Sequence, residues 1–413
     1  MLNTMPPLAS VRIVIIGAGM AGSKLANDLL EKHGKGQDIT LIGEEAQVGY
    51  NRIMLSSLLA NDISEKDMSL VDIDKMQNEG IRIIAGAPAV SINLESKVVL
   101  LASGQDITYD KLILATGSRA RILPIKGAFA PNVMGFRTWQ DVDAMTEMKE
   151  PQRVCVIGGG LLGLEAAVGL VKRGHNVTVF HRSDWLLNRQ LDAESAELLL
   201  TRLKGMGIDF RLGESPSSFL QSEEGRVTQV VCENGEQLEA DLVVMAAGIL
   251  PEIALAKAAG LGTNQAILVD QYMKTSNPDV FALGECCEFE QQTFGLVAPI
   301  WTQIKVLIDV LSGKEACFAI EPTPTKLKVS GVNLFSVGKI QPTQDDTCIL
   351  FKDIEANHYR KLVVNDGLLV GAILYGNVAD GSWYFQLIQN KTNVSDMLEL
   401  LIFGEAYCRP KVA

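Results

Sequence analysis

The chain carries one pattern twice. "VRIVIIGAGMAGSKLANDLL" begins at Val11 and "QRVCVIGGGLLGLEAAVGLV" begins at Gln152. Each is a β-branched apolar run, then G-x-G-x-x-G, then a run with helical spacing. The glycines are Gly17, Gly19 and Gly22 in the first copy and Gly158, Gly160 and Gly163 in the second. Gly158 lies 141 positions after Gly17, and the other two pairs keep that offset. A second strand-like run follows each copy, "DITLIG" (38–43) and "NVTVFH" (176–181). One such fingerprint is a weak signal. Two complete copies, each leaving a strand and opening a helix, predict a pair of βαβ units that bind dinucleotides.

The physics of the pattern is specific. The first glycine permits a tight turn out of the strand. The second lets the backbone approach a pyrophosphate, and the third lets the helix pack close to the sheet. Free N–H groups and the positive end of the helix dipole then face the phosphates. Met20 and Ala21 in the first copy, and Leu161 and Leu162 in the second, belong to these turns and join the candidate contacts. Two later runs, "LILATGSRAR" (112–121) and "LVVMAAGILPE" (242–252), end in small-residue turns that let the chain pass close to a bound dinucleotide. Their candidate contacts are Ala115, Thr116 and Gly117, and Ala247 and Gly248.

The copies differ after their second strands. Glu44, with Glu45 beside it, stands where a carboxylate accepts from ribose hydroxyls. The alternative is a pair of exposed turn acids. The second copy has His181 and Arg182 there, with Arg189 further on. A cation at that position welcomes a 2′-phosphate, so NADPH as well as NADH is expected. The alternative is a set of solvated loop residues.

Composition removes several classes. A net charge of −12 argues against nucleic acid and anionic membrane and suits a basic protein partner. "MLNTMPPLASVR" has no basic and apolar leader pattern, and no apolar run approaches a membrane span. Seven cysteines without C-x-x-C read as reduced thiols in a cytoplasmic protein. With four histidines and no H-x-x-H, no metal site is expected.

The order of these motifs resembles the two-dinucleotide flavoprotein disulfide reductase superfamily. There the first unit binds FAD and the second binds NAD(P)H. Longer stretches narrow the likeness: "YNRIMLSSLLA" (50–60), "VFHRSDWLLNRQLD" (179–192), "GECCEFEQQTFGLVAPIWTQ" (284–303), "TKLKVSGVNLFSVG" (325–338) and "ADGSWYFQLI" (379–388). They look like the flavoprotein portion of the NAD(P)H nitrite reductase large subunit, with rubredoxin and ferredoxin reductases as more distant relatives. The implied fold is α/β: two Rossmann-like dinucleotide-binding domains plus a small α+β C-terminal domain, glutathione-reductase-like. The implied division is an FAD domain at 1–122 and 263–320, an NAD(P)H domain at 123–262, and a cap or interface domain at 321–413.

The resemblance also assigns roles. Gly284 and Glu285 match the late FAD motif, usually "GD", with Glu285 accepting from a ribityl hydroxyl or acting nearby through water. Arg52 approaches the FAD pyrophosphate, unless it is a surface arginine. Ala89 joins the FAD set. Pro299 opens a helix whose N-terminus faces the flavin pyrimidine and stabilises negative charge. Trp301 packs near the flavin or in the core. Glu165, in the first helical turn of the second copy, is the candidate catalytic residue that positions the nicotinamide; the alternative is a dipole-favoured acid. Ferredoxin reductases carry a lysine where this chain has Ser57.

The implied activity is electron transfer from NADH or NADPH through FAD to a separate redox protein: a nitrate or nitrite reductase component, a rubredoxin or a ferredoxin. The chain supplies proximity and charge stabilisation. A homodimer is one expected assembly. Nitrite reductase large subunits continue into iron–sulfur and sirohaem regions. This sequence has no cysteine cluster for either, so it is not expected to reduce nitrite alone. No cysteine precedes Cys155, which removes disulfide reductase and peroxidase chemistry. The remaining rival is a flavoprotein that signals or scaffolds in its NADH-bound state.

Cys286 and Cys287 are adjacent, and adjacent cysteines form only strained disulfides, so both are expected to be buried thiols. Replacing both with alanine or serine is expected to leave NAD(P)H-to-acceptor turnover within a few-fold. A loss of about a hundredfold with FAD still bound would assign chemistry to the sulfurs.

Overall fold

Residues 11–329 and 331–408 are described by a computed structural model. The leader reading of residues 1–10 lies outside them. Two five-stranded parallel sheets carry the duplicated pattern. The first runs Val280–Ala282, Lys111–Leu114, Ile13–Ile16, Ile39–Ile42, Arg82–Ile84. The second runs Ile208–Leu212, Asn176–His181, Arg153–Ile157, Leu242–Met245, Val133–Gly135. The strands Ile13–Ile16, Ile39–Ile42 and Leu242–Met245 are buried throughout, as parallel strands covered on both faces must be.

The repeat reaches further than the fingerprints. Each unit adds a three-stranded antiparallel meander: Ala89–Asn93, Val98–Leu101 and Asp106–Thr108, then Pro216–Gln221, Val227–Cys232 and Gln237–Glu239. Each first strand also begins at a clamped arginine. The Arg12 N–H donates to Asp110 Oδ2 at 2.8 Å and its guanidinium reaches Oδ1 at 2.7 Å. The Arg153 N–H donates to Asp241 Oδ2 at 2.9 Å and its guanidinium reaches Oδ1 at 2.6 Å. These bidentate pairs fix the edge of each sheet opposite the glycine turns.

The helix Val297–Leu311 has apolar residues at 300, 304, 307, 308 and 311, one helical face, and buries it in the first unit's core. Lys32 on the first fingerprint helix meets Asp309 at 2.6 Å. Trp301 packs against that core, half-buried.

The last quarter, expected as a small α+β domain, forms one five-stranded antiparallel sheet. Its order is Thr325–Val329, Val332–Gly338, Leu368–Tyr375, His358–Asn365, Thr347–Asp353. Alternation gives it two buried faces. Leu334, Tyr359, Ile373 and Tyr375 join the core that contains the helix Ala193–Lys204. Phe335, Leu362, Leu374 and Tyr384 form a separate core with the last helices.

Asp192 joins the second unit to this sheet. It caps the helix Ala193–Lys204 by accepting from the Ser195 N–H at 3.0 Å. It also accepts from Tyr359 Oη at 2.5 Å and Lys361 Nζ at 2.7 Å. Burial works to raise its pKa, but the Lys361, Ser195 and Tyr359 hydrogen bonds win and hold it below the ordinary aspartate value. Its stabilising contribution is therefore present above the unfolded aspartate pKa and fades as pH falls through the folded one. Asp192→Ala removes a helix cap and strands Lys361 in a half-buried site. It is expected to lower unfolding free energy by about 2–4 kcal/mol in urea at pH 7. A change under about 0.5 kcal/mol would mean the tie contributes nothing.

Candidate functional site

The glycine turns divide into closed and open positions. A Cβ on Gly17 would lie 2.1 Å from the Ala115 carbonyl oxygen, and one on Gly22 would lie 1.9 Å from the Gly17 carbonyl oxygen. Gly158 and Gly163 repeat this against Ala246 and Gly158, at 2.3 and 1.8 Å. Gly17 and Gly158 also need φ values of 111° and 127°, which side chains rarely adopt. The middle glycines differ. A Cβ on Gly160 would meet nothing within 4 Å, and one on Gly19 only Arg52 Nη2, at 3.7 Å. A residue kept small beside open space is what a cradle for a pyrophosphate requires. Both cradles fit a dinucleotide.

The first cradle gathers its predicted residues closely. Met20, Ala21 and Gly22 open the helix Met20–His33. Ala115 lies against Gly17, and Thr116 Oγ1 donates to the Glu252 carbonyl at 2.8 Å. Gly117 has φ 66°. A Cβ on Gly284, at φ 87°, would lie 3.3 Å from Ala21 Cβ, and the Gly284 N–H donates to Gln303 Oε1 at 2.8 Å. Pro299 stands in the first turn of its helix. Glu44 is exposed just past its strand. Glu45 is occupied instead: it accepts from Tyr50 Oη at 2.7 Å and from Arg52 at 2.5 Å. Ala89 heads a meander strand and packs on the first core.

The second cradle is built alike. Leu161 and Leu162 start the helix Leu161–Lys172, with Leu162 exposed. Ala247 and Gly248 follow the strand Leu242–Met245, and Gly248 has φ 110°. His181 turns inward, its Nδ1 accepting from the Gly159 N–H at 3.2 Å. Burial lowers its pKa, so the ring is a neutral support for the turn. Arg182 and Arg189 are exposed.

A small cavity lies where the two units meet. Arg52, Leu55, Ser56, Phe136, Arg137, Leu162 and Glu165 line it. The units approach closely because Gly169 lets the helix Leu161–Lys172 sit on Leu59, where a Cβ would fall 2.8 Å from Leu59 Cγ. Lys172 adds a 2.7 Å pair with Asp62. This packing sets Glu165 beside Ser56. Burial pushes the Glu165 carboxyl up to about 7, against the lowering effect of a Ser56 hydrogen bond. The hydroxyl at Glu165 thus comes from Ser56.

Arg137 is the main residue that sequence reasoning missed. It pairs with Glu285, and its Nε donates to the Ser118 carbonyl at 2.8 Å. Ser118 Oγ donates to Glu285 Oε2 at 2.9 Å. The available signal was "RTWQD": Thr138 and Asp141 form a capping box, and the Arg137 N–H donates to Asp141 Oδ2 at 2.8 Å. That cap fixes Arg137 at a helix entrance. Gln303, which caps Gly284, was also unremarked.

Cys286 and Cys287 are fully buried and free. Their thiols donate to the Leu283 and Gly284 carbonyls, each at 3.2 Å, and burial raises both pKa values. Both stay protonated thiols near neutral pH. Among the described residues no group of three His, Cys, Asp or Glu side chains is placed to hold a metal. No described helix is long and apolar enough to cross a membrane.

Two nucleotide cradles facing one cavity define a two-dinucleotide oxidoreductase. The chain belongs to the pyridine nucleotide-disulphide oxidoreductase family, whose profile matches residues 11–305. The rubredoxin NAD+ reductase C-terminal domain profile matches residues 324–392. Nitrite reductase [NAD(P)H] of Bacillus subtilis (strain 168) is 37% identical over 393 residues, covering 95% of this chain and 49% of that protein. Rubredoxin-NAD(+) reductase of Pseudomonas putida is 31% identical over 336 residues, covering 80% of this chain and 87% of that protein. The covalent putidaredoxin reductase–putidaredoxin complex has a structural counterpart with TM-score 0.83 and 26% identity, over 94% of this chain and 95% of that one. The chain spans about half the length of the nitrite reductase it matches. The family's cofactors are FAD and NAD(P)H, and the enzyme class is FAD-dependent NAD(P)H oxidoreductase.

Gly160→Ala is expected to keep its thermal midpoint within about 2 °C, since its Cβ meets no protein atom. The same change is expected to weaken NAD(P)H binding about tenfold, by intruding where a pyrophosphate approaches. Unchanged affinity would remove the cradle role. For Glu165 the folded pKa lies above the ordinary glutamate value of 4.5, so stability is full below that value and is lost as pH rises through about 7. Glu165→Gln escapes that loss. Its stability relative to wild type is expected to rise by about 1–3 kcal/mol between pH 5 and pH 8 in urea unfolding. A pH-independent difference would place the carboxyl in water.

Proposed function

We propose that this chain takes electrons from NADH or NADPH and passes them through FAD to a separate redox protein. A nitrate or nitrite reductase component is the favoured acceptor. The observation that carries the reading is the cavity between the cradles, where Arg52 from the first unit meets Arg137, Leu162 and Glu165 from the second. A nicotinamide entering from Leu162 meets whatever ring Arg52 and Glu285 hold. The relatives support an external acceptor: one is named for rubredoxin, and one is bound to putidaredoxin.

FAD, when bound, converts a two-electron donor into a one-electron source. The residues of the chain do the rest. Arg52, beside Gly19, offers paired donors to phosphate oxygens. Glu44 is the free acid for a ribose. Glu285, steadied by Arg137 and Ser118, accepts from a ribityl hydroxyl. Glu165 holds a proton near neutral pH and positions the nicotinamide. The interleaved sheets support the division at 122, 262 and 320, with the strand Val280–Ala282 returning to the first sheet. A homodimer through the C-terminal sheet and a cytoplasmic location complete the proposal.

The test is reconstitution with FAD, then anaerobic addition of NADH or NADPH, then mixing with ferricyanide, rubredoxin or ferredoxin. Rapid bleaching of the flavin and steady turnover are expected. A protein that takes up no FAD would defeat the reading. Slow oxidation with a long-lived charge-transfer complex would replace it with a signalling role.

A further inference from the structure

Gln303 is the polar member of a buried set that is otherwise isoleucine, valine and leucine, on the helix Val297–Leu311. It has no exposed surface. A primary amide taken from water is disfavoured unless its polar atoms are paired. Here one end is paired and the other is not. Gln303 Oε1 accepts from the Gly284 N–H at 2.8 Å, and Nε2 has no hydrogen-bond partner among the described residues. A backbone N–H can only donate, so it fixes which end of the amide faces Gly284. The amide also sits close enough to the Cys287 thiol to work against the rise in its pKa that burial causes. An aliphatic residue would fill this helix position without a stranded donor. What it would not supply is the acceptor for Gly284.

The turn that receives this acceptor is the late glycine–acid pair. Gly284 has φ 87°, a conformation that side chains rarely adopt. Both polar groups of the residue are engaged. Its N–H goes to Gln303, and its carbonyl accepts from the Cys287 N–H and from Cys287 Sγ at 3.2 Å. Cys286 Sγ donates to the Leu283 carbonyl at 3.2 Å and the Leu114 carbonyl at 3.4 Å. The two thiols thus brace the turn from within its own segment. Gln303 reaches it from 19 positions away and ties it to the helix that Pro299 opens. Glu285 follows Gly284 directly, and its carboxylate is engaged by Ser118 Oγ at 2.9 Å and by Arg137. Any rotation of the Gly284 peptide carries the Glu285 backbone with it.

We propose that Gln303 is a positioning residue: by holding the Gly284 N–H it sets the place from which Glu285 meets a bound FAD. The proposal rests on reading Glu285 as an FAD contact. The test is FAD affinity, followed by the quenching of flavin fluorescence as FAD is titrated into the full chain stripped of it. Gln303→Leu removes the acceptor at similar volume and is expected to weaken FAD binding about tenfold or more. Gln303→Glu keeps an oxygen for Gly284, and burial keeps that carboxyl neutral, so at about pH 6 its affinity is expected within about threefold of wild type. Glu285→Ala is expected to weaken binding about tenfold by itself. If Gln303 acts through Glu285, adding Gln303→Leu to Glu285→Ala costs less than about a further threefold. The full tenfold on both backgrounds overturns the proposal and makes Gln303 a support for the core alone. Unchanged affinity in Gln303→Leu overturns it as well. Should Gln303→Leu fail to fold, Gln303→Glu carries the test: rescue supports the positioning role, and a loss of about tenfold or more defeats it. If wild type binds FAD and Glu285→Ala binds it equally well, the reading of Glu285 fails first and the proposal with it.

Discussion

The closeness of backbone to backbone at the two glycine turns is the constraint on which the rest depends. A strand, the helix that leaves it and a later strand converge where the carbonyls of Gly17 and Ala115, and of Gly158 and Ala246, leave no room for a side chain. The same convergence holds the middle glycine away from every other element. The open space at Gly19 and Gly160 exists because Gly22 and Gly163 let their helices come so near the sheet. Binding capacity at these turns is a by-product of packing.

Two cradles make an electron-transfer site only if they are held together. The helix Leu161–Lys172 does this through a surface that would suit a buried helix, with Gly163, Leu164, Ala166, Ala167, Val168, Gly169 and Leu170 all buried. Its glycine at 169 admits Leu59, and the Lys172–Asp62 pair adds a contact at the rim. Glu165 inherits its place from that packing. An acid one turn into a helix is ordinarily solvated and ordinarily acidic. Here burial against the neighbouring unit outweighs the lowering hydrogen bond from Ser56, and the carboxyl is pushed up to about 7.

Local patterns in the sequence carried the parallel sheets, the turns, the late glycine–acid pair and the small C-terminal α+β domain. Each depends on residues close together in the chain: periodicity, glycine spacing, a terminating turn. The partners within the site depend on tertiary approach. Arg137 meets Glu285 across 148 positions, and nothing near either residue names the other. Glu45 likewise was read only as the neighbour of Glu44. Only the fold shows one acid engaged by Arg52 and Tyr50 while the other faces solvent. The paired clamps Arg12–Asp110 and Arg153–Asp241 were within reach, since each arginine opens its fingerprint strand and each aspartate precedes the next central one.

The charges around the cavity follow from the expense of burying them. Arg52 and Arg137 are largely shielded, and a guanidinium taken from water without a partner is strongly disfavoured. Each has an acid, Glu45 for one and Glu285 for the other. Both acids have a second donor as well, Tyr50 and Ser118. That surplus lets Arg52 turn one face toward the open side of Gly19 without leaving Glu45 unpaired. It likewise leaves Glu285 one oxygen beyond the one Arg137 and Ser118 engage. The network is thus satisfied as it stands, yet still able to accept oxygen-rich ligands on both sides. An acidic chain can in this way present unused guanidinium N–H donors at one point of its surface.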